Sequence, residues 1–147
     1  MAIAELQMAS FYDRSFRSLF DSFSAALWER PELITALHPA QARELLASLV
    51  ELACQCSHAR NIDLGRAGIW ALPKDWVLDH IEAVAEPILP KDDDWEYRRL
   101  MEVYERLDHI LARKFALRCL AEEHPEIKAV GEEYLAKLTD PADSIIQ

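Results

Sequence analysis

A chain of 147 residues with 51% hydrophobic content is long enough to build one domain around a sizeable core, which excludes a wholly disordered protein. Three glycines against an abundance of Ala, Leu, Glu and Arg favour helices and exclude a turn-rich sheet protein. The formal net charge of −10 repels phosphate backbones, so nucleic acid is not an expected partner.

The charge is unevenly placed: residues 1–73 carry 6 basic and 8 acidic side chains and residues 74–147 carry 10 and 18, −2 against −8. Cys54, Cys56 and Cys119 are odd in number and lack the spacing of a secreted disulfide framework, which points to a reducing compartment. The N-terminus MAIAELQMAS has no basic segment followed by an apolar run, and no stretch approaches the roughly 18 apolar residues of a membrane span. The expectation is a soluble cytoplasmic protein with no membrane contact, its oligomeric state open.

Along the chain, FYDRSFRSLFDSFSAALW sets Tyr12, Phe16, Leu19, Phe20, Phe23 and Leu27 at three- and four-residue steps, the stripe of an amphipathic helix. Pro31 and Pro39 each stand where a first helical position loses no hydrogen bond. PAQARELLASLVELACQCSHAR then predicts a second long helix, with Leu45, Leu46, Leu49, Val50 and Ala53 on one side, ending near Asn61. NIDLGRAGIWALP reads as a short helix with a loop, where Gly65 and Gly68 allow either close helix packing or backbone approach to a ligand. A further helix is expected from Asp75 to Leu89, ended or kinked by Pro87. WEYRRLMEVYERLD, ILARKFALRCLAEE and PEIKAVGEEYLAKL follow, each about one helix long. Joints this short force neighbours antiparallel.

The predicted fold is therefore all-α, an antiparallel bundle or a short stack of helical hairpins with about 6–8 helices. One domain spans 1–147, divided into aromatic-rich helices (1–60), a glycine-containing connection (61–73), acidic helical hairpins (74–138) and a tail (139–147).

The stretch LPKDDDWEYRRL places three aspartates before a helix. Asp93 and Glu96, three apart, have the form of a capping box, and Asp92 and Asp94 add negative charge where the helix dipole is positive. A calcium loop would need alternating oxygen ligands, a turn glycine and a closing glutamate, none of which WEYRR supplies. Capping leaves these side chains partly facing solvent, where they can join Glu122, Glu123, Glu126, Glu132 and Glu133 in an acidic end that a cationic partner could meet.

Catalytic signatures are missing: there is no G-x-x-x-x-G-K-[ST], H-E-x-x-H, G-x-S-x-G or C-x-x-C. Cys54 and His58 share a helical face and would give two zinc ligands, but no second pair is evident, so a small packed cysteine is the simpler reading and no metal or cofactor is expected. Adjacent helical residues diverge by about 100°, so Asp79-His80 and Asp108-His109 are not acid–base pairs; His109 and His124 read as helix-boundary residues. Trp70, Trp76 and Trp95 surround the central loops, as core or as interface, with Trp95 the candidate for exposure.

A weak repeat relates Glu96-Tyr97-Arg98 and Tyr104 to Glu126-Ile127-Lys128 and Tyr134 at an offset of 30, and His38-Pro39 echoes His124-Pro125. LARKFALRCLAEEHPEIKAVGEEYLAKL resembles a HEAT-type repeat, the resemblance covering roughly residues 75–138 and implying stacked hairpins that bind other proteins. In general character, though not in any shared motif, the chain is similar to small acidic bacterial immunity proteins, which implies neutralisation of a basic toxin.

The expected function is thus a non-catalytic protein-binding module whose basic protein partner meets Asp92, Asp93, Asp94, Trp95, Glu96, Glu122, Glu123 and Glu126. The alternatives are an α-repeat adaptor or homo-oligomeric scaffold subunit, and an enzyme with a small helical pocket near Arg66, Trp70, Trp76 and His80.

Overall fold

The structure, a computed structural model, describes residues 14, 17–54 and 59–138. All regular structure among them is helical, with no strand, and the protein is all-α. A 3-10 helix, Pro31–Ala36, precedes α1 (Pro39–Cys54), α2 (Ala59–Ala71) and α3 (Lys74–Ala85); a 3-10 turn, Glu86–Ile88, then leads to α4 (Asp94–Leu107), α5 (His109–Leu120) and α6 (Pro125–Leu138). Pro31 and Pro39 open their helices as the sequence predicts, because neither needs to donate a backbone hydrogen bond there. The chain divides into two compact units, Met1–Pro87 and Ile88–Gln147.

In the first unit α1 packs against α2, α3 and the Pro31–Ala36 helix. Its buried side is the predicted one: Leu45, Leu46, Leu49, Val50 and Ala53 are all inaccessible. The described part of α1 runs to Cys54, while Arg60 and Asn61 belong to α2, which packs back against α1, so the expected single helix to Asn61 is two. The Gly65/Gly68 stretch, expected to hold a loop, is helix as far as Ala71. Both glycines face α1, and a Cβ on Gly65 would overlap the Ala53 nitrogen and lie 2.5 Å from the Leu49 carbonyl oxygen. Close helix packing, rather than ligand approach, is what they serve.

Upstream, Tyr12 and Phe16 of the predicted aromatic stripe lie outside the described residues. Residues 17–21 are helical, but Phe23 and Leu27 fall in turns rather than on a continuing helix. Side chains there compete with the backbone ladder: Ser22 Oγ donates to the Leu19 carbonyl at 2.6 Å and Asp21 Oδ1 accepts from the Trp28 amide at 3.3 Å. Ala26 takes a left-handed conformation (φ 68), and Phe20 and Trp28 meet edge to face at 5.7 Å.

The second unit is a three-helix arrangement in which α4, α5 and α6 all touch. Asp108 is at once the last cap of α4 and the first cap of α5: it is extended (φ −169, ψ 131), and its carboxylate accepts from Leu111 N at 3.0 Å. A one-residue joint of this kind folds α5 back on α4, and residues 121–124 fold α6 back on α5. Phe115 sits at the centre, stacked on Tyr97 (5.8 Å between ring centroids, 9° between planes) and edge-on to Tyr104 (5.1 Å, 78°). Each such ring pair contributes about 0.5–1.5 kcal/mol beyond its buried area. The 30-residue echo has a packing meaning, since Tyr97 and Ile127, and Tyr104 and Tyr134, are buried at corresponding places on α4 and α6.

Candidate functional site

The start of α4 and the α5–α6 turn lie at the same end of the second unit, because α5 runs antiparallel to α4 and returns the chain to that end. An ion pair at 3.8 Å between Lys91 and Glu122 joins the two segments. The structure thereby gathers two clusters that are separate in the sequence: Asp92, Asp93, Asp94 and Glu96 from one, Glu122, Glu123 and Glu126 from the other.

Within this end the carboxylates are not equivalent. Asp93 is the N-cap of α4, extended at φ −129, and its Oδ1 accepts from Trp95 N at 3.0 Å, so the capping role expected of it is real. Asp94 is turned inward onto Arg98, one helical turn on, at 3.2 Å. Arg98 in turn reaches across to α6 and donates to Glu133 at 2.6 Å. That bond to Glu133 dominates in raising the Arg98 pKa above its ordinary value, burial opposes it, and Asp94 adds to it. Asp92, Glu123 and Glu126 are exposed, and Glu96 and Glu122 are half-buried.

Trp95 is 56% exposed among these acids, as the sequence predicts for a bulky residue at a capped helix start. Trp70 and Trp76 are half-buried. His124, just before α6, accepts a backbone hydrogen bond from Glu126 N on its Nδ1 at 3.2 Å, and His38 does the same for Ala40 N at 3.2 Å before α1. The His-Pro echo is therefore a capping device used twice.

No protein-family model matches the chain. No curated protein and no solved structure is significantly similar to it either. The chemistry of the site has to be read from its own residues.

Among the described residues no group of three or more His, Cys, Asp or Glu is arranged to hold a metal ion, and no helix is long and apolar enough to cross a membrane. Of the weighed zinc pair, Cys54 is buried and His58 lies outside the described residues, as does Cys56; Cys119 is buried too. At the pocket considered for an enzyme, the His80 ring stacks on Trp76 (4.6 Å, 24°) and its Nδ1 lies 2.8 Å from the Trp76 carbonyl oxygen, which ties it to its own helix. Asp79 is exposed beside it.

A groove of about 130 Å³ runs between α4 and α6, edged by Arg98, Glu102, Glu105, Glu133 and Lys137 and floored by Met101, Val130 and Tyr134. Its charges are largely matched, Arg98 with Glu133 and Lys137 with Glu105 at 3.5 Å. Sequence reasoning missed Arg98 and Lys91, the two cations that already neutralise part of the acidic end. The Asp94–Arg98 spacing of four was a usable signal; Glu133, expected in the acidic end, is instead paired with Arg98, 35 positions away, a pairing that no local spacing signals.

Proposed function

We propose that the protein is a non-catalytic binding module that docks a basic protein on the acidic end of its second unit, in the manner of an immunity or antitoxin-type protein that neutralises a cationic toxin. The observation that supports this most is the Lys91–Glu122 ion pair, which joins the segment holding the exposed Asp92 and Trp95 to the segment holding the exposed Glu123 and Glu126. Negative charge steers a cationic partner at long range and excludes anionic ones, and tryptophan is a residue type enriched among interface anchors. Asp93 and Asp94 contribute charge but are committed to the helix, Asp93 to the Trp95 amide and Asp94 to Arg98.

The test is affinity capture from the native host with the wild-type chain and with Asp92→Lys/Glu123→Lys/Glu126→Lys. The expected result is a basic protein retained by the wild type and lost with the variant. An identical set of retained proteins from both would contradict the reading. The second reading, an α-repeat adaptor, draws on the tight α5–α6 hairpin in the segment that resembles a HEAT repeat.

A further inference from the structure

α5, HILARKFALRCL, contains no acidic residue; its charged groups are Arg113, Lys114 and Arg118. It is a cationic helix in a chain of net charge −10. Its inner side, with Leu111, Ala112, Phe115, Ala116 and Cys119, is buried. Its outer side carries Ile110 and Leu117, exposed by 72% and 52% and two turns apart, with Arg113 and Lys114 exposed between them and Arg118 beyond. The two aliphatic side chains stand among cations on one exposed helix face, and those cations set what can cover them.

The matching surface is on the same unit. At its C-terminus α5 is followed by Glu122 and Glu123, and the Lys91–Glu122 ion pair ties that turn to the segment that holds the exposed Trp95. One patch is basic with aliphatic anchors, the other acidic with an aromatic anchor. A two-fold contact requires such self-complementarity, since whatever one copy offers it must also receive. A two-fold contact that sets the basic face of each copy against the acidic end of the other brings opposite charges together. A direct pairing of the two basic faces would place like charges together and is disfavoured.

We infer that the protein forms a two-fold homodimer in which the Ile110/Arg113/Leu117 face of α5 in each copy covers the Trp95/Glu123/Glu126 end of the other. This goes beyond the proposed docking of a basic protein and makes that protein a competitor for the same acidic end.

Sedimentation equilibrium of the full chain alone tests it, so the result does not depend on any partner. At low salt the apparent mass is expected to rise with concentration from 16.9 kDa towards twice that value, and high salt is expected to reverse the rise. Arg113→Glu and Glu123→Arg, both at exposed positions, are each expected to weaken association about tenfold or more by setting like charges together, while an equimolar mixture of the two variants associates again because both contacts are then complementary. Thermal melts confirm that each variant is folded. A wild type that stays at 16.9 kDa at every concentration would overturn the inference. So would association that ignores both substitutions, or single variants that fail to rescue each other.

Discussion

Tyr134 shows how one residue can be both well packed and poorly satisfied. Its ring is buried against the second unit's core, and its hydroxyl is buried without a hydrogen-bond partner among the described residues. Burial comes first in raising its pKa above the usual 10.0, with the Glu105 charge adding and Arg113 opposing. A tyrosine whose folded-state pKa is raised holds its proton longer in the folded chain than in the unfolded one. The associated stability is present below the ordinary pKa and lost as pH rises through the folded value. Tyr134→Phe should therefore raise stability by about 1 kcal/mol at neutral pH, because it removes a buried group that water would otherwise solvate. It should also flatten the loss of stability above pH 10.0 relative to wild type. Urea denaturation of both proteins across that range is the measurement, and a variant clearly less stable at neutral pH would mean that the hydroxyl is satisfied after all.

At the scale of helices, the pattern of apolar residues and the capping residues carried most of the fold. The buried side of α1, both proline-led starts, the Asp93 cap and the exposed Trp95 follow from local chemistry that operates within a turn or two. The failures also have physical causes. Gly65 and Gly68 read as loop residues because glycine lowers helix propensity by about 1 kcal/mol, and only the approach of α1 shows what that cost secures. The aromatic stripe runs past residue 21 in the sequence, but Ser22 and Asp21 bind the backbone and stop the helix. Gly131 is the counterpart of Gly65 in the second unit, where a Cβ would overlap the Ala116 carbonyl oxygen and lie 3.2 Å from Cys119 Cβ. Gly65→Ala and Gly131→Ala should each cost about 3 kcal/mol despite better helix propensity, since backbone atoms cannot move aside as a flexible side chain can. Denaturant midpoints that rise in either variant would contradict the close-packing account.

For the molecule as a whole, charge is best counted by compact unit rather than by halves of the sequence. Residues 1–87 carry 7 basic and 12 acidic side chains and residues 88–147 carry 9 and 14, so each unit is at −5. What distinguishes the second unit is how its charge is arranged. Acids collect at one end, α5 carries only cations, and α4 and α6 are tied by Arg98–Glu133 and Lys137–Glu105. The acidic end was legible residue by residue, from the aspartate triplet and the glutamates after Leu120. That α5 brings those two stretches together, and that Asp94 is spent on Arg98, follows only from the tertiary structure. The direct measurement of the central claim is the affinity of the captured basic partner as a function of ionic strength. The account predicts binding that weakens steeply as salt rises, through slower association, and that Asp92→Lys/Glu126→Lys weakens about tenfold or more at low salt; an affinity indifferent to both salt and charge reversal would contradict it.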